Sequence, residues 1–250
     1  MKPMKTLRLA MAALAFVALD TQAEEIKVFA AGASKVAIES IAPAFTELTG
    51  DRLIVTSDTV GALRDRISRG ERPDLTVLSQ LAMQSLVIQG HVLPTQTQPV
   101  GVVRAGLAVK RGAPVPNIST VEDLKQTLQQ AKSVAHADGT RGATSGAHFA
   151  KLIDQLGLRE SLQPKLTVLP FGVDVIEAVA AGQYELGASQ SSEIVPHSSV
   201  TYVGDLPAPF ALRTPYTAGV VHNSVNGLRL LNFLSTANGL EAFKTSGFDQ

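Results

Sequence analysis

The sequence predicts an α/β protein built from two lobes, each with a mainly parallel sheet. Short runs rich in aliphatic and β-branched residues alternate with helical patterns, and this alternation is typical of βαβ units. The rhythm breaks over residues 99–116 and then resumes, which indicates a crossover into a second α/β unit. Apolar residues make up 45% of the 250 residues and charged residues 18%, so the chain has a globular composition and enough length for two cores.

The N-terminus carries the pattern of a secretory signal peptide. Three basic residues within the first eight precede an uncharged apolar run over residues 9–19, and the small residues Thr21 and Ala23 follow at the positions that a signal peptidase reads. The apolar run is shorter than the roughly 20 residues that cross a bilayer. We therefore expect residues 1–23 to be removed on export, which leaves a periplasmic protein without a stable membrane anchor.

Composition excludes several classes of partner and cofactor. The 22 basic and 22 acidic residues balance, so the sequence offers no basic footprint of the kind that binds nucleic acid. Cysteine is absent, which excludes disulfides, thiolate metal sites and cysteine nucleophiles. The five histidines lack metal-ligand spacing, and no lysine follows Gly146 as a phosphate-binding P-loop requires. We expect no metal and no cofactor.

Three strand patterns, each followed by a helical pattern, make up the first part of the mature chain. The predicted strands cover residues 26–30, 53–56 and 75–78, and the predicted helices cover residues 38–48, 60–69 and 81–89. Two adjoining extended segments then cover residues 99–103 and 106–110 and lead into a turn rich in glycine and proline. We expect the chain to leave the first lobe here.

The alternation of strands and helices resumes after this crossover. The predicted strands cover residues 133–137, 166–169, 186–189 and 200–203, and the predicted helices cover residues 145–156 and 173–181. A strand over residues 217–221 and two helical patterns close the chain, and we place them back on the first lobe. The sequence thus predicts a first lobe of residues 24–103 with 216–250 and a second lobe of residues 104–215.

Four strand-to-helix junctions are small and polar, and they cover residues 31–34, 57–61, 140–146 and 171–174. In open α/β sheets, ligands bind at the carboxyl ends of strands, where helix N-termini present unpaired N–H groups and a positive dipole end. The junctions therefore predict an anion site. An alternative is that their polar residues are ordinary N-caps, namely Ser34, Asp58, Thr144 and Asp174.

Some residues near these junctions are candidates for more specific roles. Arg141 lies in the junction richest in glycine and hydroxyls, where a guanidinium could hold a carboxylate in bidentate fashion or remain a solvated loop group. Asp58, His136 and His148 are candidates for proton transfer, although spacing alone does not bring them to a substrate. The sequence therefore favours an anionic ligand and leaves the chemistry open.

Six motifs spread over the chain carry a family resemblance. They are Ile26 to Ala33, Ala62 to Arg64 with Ile67, Pro73 to Leu75, Ser145 to Lys151 before Leu156-Gly157, Leu186-Gly187, and Phe243 with Gly247-Phe248. On these motifs, the chain resembles the periplasmic molybdate-binding proteins of ABC importers, a branch of the type 2 solute-binding proteins. The resemblance implies two lobes joined by two crossovers, an interlobe cleft that closes by hinge bending, and an ABC permease as a partner.

The resemblance also implies positions for ligand-binding residues. Molybdate binders of this family surround a tetrahedral oxyanion with two serines, two backbone donors and a tyrosine. The matching positions are Ala33 beside Ser34 and Val60 beside Thr59 for the serines, Gln190 for the tyrosine, and Ser145 and Val173 for the backbone donors. Because most of these side chains are missing, we expect a small organic carboxylate rather than molybdate. The candidate ligand-binding set is Ala33, Ser34, Asp58, Thr59, Val60, Arg141, Thr144, Ser145, Val173 and Gln190.

Two functions of different classes fit this sequence. The first is an extracytoplasmic solute-binding protein of an ABC importer that binds a small anion. The second is aconitate isomerase, an exported enzyme on the same solute-binding fold, which moves a proton between carbons of a tricarboxylate. A receptor needs only two lobes that close on the ligand and a permease partner. An isomerase also needs a positioned base and hydrogen-bond donors for a carboxylate-rich substrate.

Overall fold

The computed structural model describes residues 23–250. The predicted signal peptide lies outside these residues, except for its last position. Within residues 23–250, no helix combines the length and the apolar character that crossing a membrane requires.

Strands and helices alternate along the described residues. The strands are β1 (Glu25–Ala31), β2 (Arg52–Asp58), β3 (Leu75–Ser79), β4 (Val92–Lys110), β5 (Val134–Ala137), β6 (Leu166–Leu169), β7 (Leu186–Gln190), β8 (Val200–Asp205) and β9 (Arg213–Val221). The helices are α1 (Gly32–Thr49), α2 (Val60–Ser68), α3 (Gln80–Ile88), α4 (Val121–Gln130), α5 (Thr144–Gln155), α6 (Arg159–Leu162), α7 (Gly172–Ala180), α8 (Ser191–Ile194), α9 (Val225–Leu234) and α10 (Ala237–Thr245). Short 3₁₀ helices cover Gly139–Arg141 and Gln163–Lys165.

The strands form a sheet of mixed direction in the order β2-β1-β3-β9-β4-β7-β5-β6, with β8 paired to β4. β1 runs parallel to β2 and β3, and β5 runs parallel to β6 and β7, as the alternation of strands and helices predicts. Among the described strands, every antiparallel pairing involves β4 or β9. The sheet is therefore less parallel than expected, because these two long strands carry the chain between the lobes and run against their neighbours.

The two extended segments predicted at residues 99–103 and 106–110 are parts of one continuous strand, β4. β4 pairs with β9 up to Arg104 and with β7 from Ala105 onward. The apparent gap between the predicted segments is therefore a change of neighbouring strand rather than a break in the backbone.

Three helices fall outside the predicted set: α4, α6 and α8. α4 does carry a short helical period, because Val121, Leu124 and Leu128 are spaced at i, i+3 and i+7 and the two leucines are buried. Its start is also marked locally, since the Thr120 hydroxyl accepts a hydrogen bond from the Asp123 amide at 3.1 Å. α6 is a single turn, which is too short to show a period. α8 is a single turn that follows β7 directly, and one turn is too short to show a period.

Buried apolar side chains form separate clusters on the two sides of the strand crossover. The first cluster draws on residues 26–103 and 216–248. Two further clusters draw on residues 105–206 and 108–200. We call the elements around the first cluster the first lobe and those around the other two the second lobe.

Candidate functional site

A small cavity lies between the two lobes, and both lobes line it. Its volume is about 30 Å³, which is room for about one or two water molecules. The first lobe contributes residues that follow β1 and β2, and the second lobe contributes residues that follow β5, β6 and β7. The cavity therefore lies at the carboxyl ends of parallel strands, where open α/β sheets bind ligands.

Seven of the ten predicted ligand-binding residues line this cavity. They are Ala33, Asp58, Thr59, Val60, Thr144, Ser145 and Gln190. The fold brings them together because the strands of each lobe end at the same edge of the sheet, and the two edges face each other.

Four helices begin at the cavity wall. Their first residues are Gly32 of α1, Val60 of α2, Thr144 of α5 and Gly172 of α7. The N-cap residues of α1, α5 and α7 make no side-chain cap, whereas Thr59 caps α2 through a hydrogen bond from the Ala62 amide. Helices away from the cavity, such as α4, α9 and α10, do have threonine or serine caps. Uncapped amides and positive dipole ends therefore converge here, which favours an anion.

Three predicted residues lie outside the cavity wall. Ser34 is fully buried, and its hydroxyl donates to the carbonyl oxygen of Ala31 at 2.9 Å, so it is engaged with the backbone. Arg141 is exposed, and its guanidinium carbon lies 5.2 Å from the ring centroid of Phe171, which lines the cavity. Val173 lines a larger neighbouring pocket instead.

Glu193 is a cavity residue that the sequence analysis did not single out. It lies in α8, and its carboxylate accepts hydrogen bonds from the Ser189 hydroxyl and from the Gln190 amide, the latter at 3.4 Å. The carboxyl group lies against the first residues of α1 and α7. A Cβ atom at Gly32 would come within 2.9 Å of Oε1, and one at Gly172 would overlap the carboxyl group. Glycine at both helix starts therefore makes room for this carboxylate.

The environment of Glu193 makes it more basic than an ordinary glutamate. Burial raises the pKa of its carboxyl group, and the negative charge of Asp174 raises the pKa further. The hydrogen bonds from Ser189 and Gln190 lower the pKa without offsetting the effect of burial. A raised pKa strengthens the carboxylate as a proton acceptor.

Two buried polar atoms at the cavity have no hydrogen-bond partner within residues 23–250. They are the phenol oxygen of Tyr216 and the amide oxygen of Gln190, whose residues are 1% and 6% exposed. Buried polar atoms are normally hydrogen-bonded, so both indicate a site built for a further group. Local sequence gives no signal for Tyr216, because this residue comes from β9, which approaches the cavity only through the tertiary fold.

A larger pocket of about 440 Å³ adjoins the cavity. The two spaces share Gly32, Asp58, Phe171 and Glu193. Lys35 and His197 line the larger pocket together with the carboxylates of Glu39 and Glu177. The Lys35 ammonium lies 3.8 Å from a carboxylate oxygen of Glu39, and the imidazole Nε2 of His197 lies 3.5 Å from a carboxylate oxygen of Glu177. Because Glu193 lies at the boundary, a ligand in either space would contact it.

The lobes touch each other beside the cavity. The Gly61 amide donates to the Gly142 carbonyl oxygen at 3.4 Å, and the Thr59 hydroxyl donates to the Arg141 carbonyl oxygen. A Cβ atom at Gly61 would come within 3.0 Å of the Cα atom of Gly142. This backbone contact holds the lobes in a closed arrangement.

The candidate proton carriers differ in their placement. Asp58 lines both the cavity and the larger pocket. His136 is buried with Nδ1 2.8 Å from the Ala137 carbonyl oxygen, and His148 places Nε2 2.8 Å from the Phe210 carbonyl oxygen. Neither histidine lines the cavity, and within residues 23–250 no cluster of three His, Cys, Asp or Glu side chains could hold a metal ion.

A family model matches almost all of the described chain. Residues 26–249 match the model described as bacterial extracellular solute-binding protein. The chain belongs to this family. This solute-binding protein is also 29% identical to an aconitate isomerase from Pseudomonas sp. over 231 residues, which cover 89% of this chain and 86% of that protein.

Solved structures of other solute-binding proteins share the fold. The periplasmic molybdate-binding protein of Azotobacter vinelandii matches with a TM-score of 0.74 at 16% identity, over 90% of this chain and 99% of that chain. The sulfate-binding protein SubI from Mycobacterium tuberculosis H37Rv matches with a TM-score of 0.67 at 19% identity, over 90% of this chain and 86% of that chain. The two-lobed type 2 periplasmic binding protein fold that the sequence resemblance implies is therefore confirmed.

Proposed function

We propose that this solute-binding protein is a periplasmic isomerase that interconverts cis- and trans-aconitate by moving a proton between two carbons. The observation that carries the proposal is the carboxyl group of Glu193, which faces the cavity where four helices begin. A receptor gains nothing from a carboxylate beside the anion that it holds, because like charges at close range repel each other. A proton-transfer enzyme, in contrast, needs a positioned base.

The similarity to aconitate isomerase supports the same reaction. The alignment with the Pseudomonas enzyme covers 89% of this chain, so it extends over most of both lobes. The identity of 29% also exceeds the 16% and 19% of the molybdate-binding and sulfate-binding structures. Similarity in sequence therefore favours the enzyme, while similarity in fold is shared with the receptors.

The reaction needs one base and no external electron donor or acceptor. The Glu193 carboxylate removes a proton from the methylene carbon of aconitate, and the electron pair of that C–H bond forms a double bond to the central carbon. The electrons of the original double bond move onto the far carbon and its carboxylate. The protonated Glu193 then returns its proton to the far carbon, which becomes the new methylene group. Protons and electrons balance, since one hydrogen has moved between the two outer carbons and the double bond has moved in the opposite direction.

The donors around the cavity suit carboxylates, and a tricarboxylate would extend from them into the adjoining pocket or keep the lobes further apart. Amides of the first turns of α1, α5 and α7 and the hydroxyl groups of Thr144 and Ser145 surround the cavity. Arg141 beside Phe171 supplies positive charge at its edge, and Lys35, which lies 3.8 Å from the Glu39 carboxylate, lines the adjoining pocket. A planar tricarboxylate can use donors spread over this width, whereas a tetrahedral oxyanion needs them gathered around one centre.

A transport receptor of an ABC importer is the second candidate. The structures named for molybdate and sulfate binding favour it, because they share the fold. In that case the protein would bind an organic carboxylate unchanged. The capping interaction between Glu193 and Gln190 would then be purely structural.

The deciding experiment incubates the mature protein with trans-aconitate and follows cis-aconitate by NMR. We expect turnover, and we expect Glu193→Gln to reduce it at least about 100-fold, because glutamine has the shape of glutamate but cannot accept the proton. Glu160→Gln is the matched control, since Glu160 is exposed on α6 away from the cavity. Binding of trans-aconitate without turnover in the wild type would contradict the isomerase and support the receptor.

A further inference from the structure

Tyr216 presents a hydrogen-bond donor to the cavity on the side of β9. Its side chain is 1% exposed, it lines the cavity, and its phenol oxygen has no partner within residues 23–250. A buried hydroxyl without a partner costs stability. Its retention at this position is explained if a bound molecule supplies the partner.

The phenol is held rigidly by aromatic packing. The Phe248 ring meets the Tyr216 ring edge to face at 5.7 Å, and Phe243 in turn meets Phe248 at 5.1 Å. On its strand, Tyr216 pairs with Ser79 of β3 and with Gly101 of β4. Because neighbours on both sides fix the ring, its hydroxyl group needs little reorganisation to meet a ligand.

The surroundings of Tyr216 keep the phenol protonated. Burial raises its pKa, and the negative charge of Glu193 raises the pKa further. The neighbouring Gln190 side chain lowers the pKa without offsetting these effects, and it makes no hydrogen bond of normal geometry to the phenol oxygen. The hydroxyl therefore acts as a donor at neutral pH and does not compete with Glu193 as a base. The two residues thus offer complementary chemistry to one ligand.

We infer that the Tyr216 hydroxyl donates a hydrogen bond to the substrate oxygen that gains negative charge when Glu193 removes the proton. This inference rests on the proposed isomerase function and assigns the residue that stabilises the intermediate. When the methylene proton leaves, its electron pair spreads onto a carboxylate of the substrate. A fixed donor aimed at that oxygen is stronger in the transition state than in the ground state, so it raises kcat more than it lowers KM.

The test compares the wild type with Tyr216→Phe, and Tyr184→Phe serves as the control because Tyr184 packs in the second lobe away from the cavity. We expect kcat for trans-aconitate to fall about 100-fold to 1,000-fold while KM changes less than about threefold. The melting temperature should stay the same or rise, because the lost hydroxyl has no partner. Affinity for tricarballylate, which has no double bond and does not react, should stay within about threefold.

The outcomes separate this inference from the proposed function. An active wild type with an unchanged kcat in Tyr216→Phe would overturn the role of Tyr216 and leave the isomerase intact. A loss of tricarballylate affinity equal to the loss of kcat would also overturn it, since the hydroxyl would then act in ground-state binding. A wild type without turnover would refute the proposed function, and the inference would fall with it.

Discussion

At the residue scale, the proposed proton transfer depends on the protonation state of Glu193. Because burial raises the pKa of this carboxyl group, acid should inactivate the protein at a higher pH than it would if the base were a solvated glutamate. We expect kcat/KM to rise with pH and to level off once the carboxylate is deprotonated. A pH–rate profile measures this directly. Activity that stays constant down to about pH 4, the range of an ordinary glutamate, would contradict Glu193 as the base.

The raised pKa of Glu193 makes the stability of the fold fall with rising pH, whereas the activity is expected to rise with pH. The folded state holds the Glu193 proton more tightly than the unfolded state, so the free energy of unfolding falls as pH rises from the unfolded pKa through the raised pKa. At neutral pH, Glu193→Gln should therefore have a higher melting temperature than the wild type, and the difference should shrink towards about pH 4. A variant that melts lower at both pH values would show that the carboxyl group stabilises α8 through its hydrogen bonds in either protonation state.

Arg141 gives a prediction about binding. Its guanidinium is exposed and stacks on Phe171, a contact worth about 0.5–1 kcal/mol at an exposed site, so Arg141→Ala should change the free energy of unfolding by no more than that. If the guanidinium holds a substrate carboxylate, affinity should fall by about 1.5–3 kcal/mol, or roughly 10-fold to 100-fold. Calorimetry with trans-aconitate measures the affinity. Arg159→Ala is the control, because the Arg159 side chain is exposed on α6, and equal affinities in both variants would make Arg141 a solvated loop residue.

Sequence alone located the cavity residues at the helix N-termini better than the proposed base. Residues such as Thr59 and Ser145 lie in predicted strand-to-helix junctions, so local sequence is enough to place them at the cavity. Glu193 lies beyond a predicted strand in a single helical turn, and Tyr216 arrives on the returning strand. Their positions depend on how distant segments pack, which periodicity does not encode. Ser34 lies in a predicted ligand-binding junction, but its hydroxyl donates to the backbone carbonyl oxygen of Ala31 instead of facing the cavity.

At the element scale, the starts of α1 and α7 are shaped around Glu193. Both begin with glycines that lack a positive φ, so alanine would be tolerated there were it not for the neighbouring carboxyl group. Alanine at 172 would overlap that group, whereas alanine at 32 would come within 2.9 Å of one oxygen. We expect Gly172→Ala to lower stability by about 1–3 kcal/mol and to abolish most turnover, with a smaller effect for Gly32→Ala. Melting curves and assays of both variants test this order, and equal effects would contradict it.

A helix or strand can be predicted from the sequence where a local pattern, such as an apolar period or a cap residue, identifies it. α1 and α5 have apolar periods long enough to read, and the parallel strands around them follow from the alternation. α4 is shorter, and its signal consists of Val121, Leu124 and Leu128 at helical spacing together with the Thr120 cap. The mixed direction of the sheet depends on the partners of β4 and β9, and strand pairing between distant segments is not a local property.

At the scale of the whole molecule, the two lobes are joined where β4 and β9 pass side by side. Arg104 of β4 pairs with Arg213 of β9, and the carboxylate of Asp249 contacts both guanidinium groups at 3.3 and 2.8 Å. Arg104 also contacts Asp205 at 3.2 Å. These ion pairs are partly exposed, so each contributes about 1 kcal/mol or less and leaves the crossover free to bend.

Closure of the lobes depends on the contact between Gly61 and Gly142. Alanine at 61 would press on the opposing backbone, so the lobes would need to stay slightly apart, while the first lobe itself would keep its fold. We expect Gly61→Ala to bind trans-aconitate about 10-fold more weakly, with a melting temperature without ligand close to that of the wild type. Calorimetry and small-angle scattering with ligand measure the two effects. Unchanged affinity and full compaction would show that the backbone at Gly142 yields.

The small volume of the closed cavity sets an upper limit on the rate of substrate capture and on kcat. A tricarboxylate is several times larger than the one or two waters that about 30 Å³ admits, so we expect it to enter and leave only after the lobes separate. The observed rate of capture should then approach a plateau at high substrate concentration, equal to the rate constant of opening, and kcat should not exceed that plateau. Rapid mixing with trans-aconitate measures the plateau. A rate that instead rises in proportion to concentration would mean that the substrate enters directly through the larger pocket beside Glu193. If the plateau is observed, the turnover rate is limited by the opening of the two lobes as much as by the proton transfer.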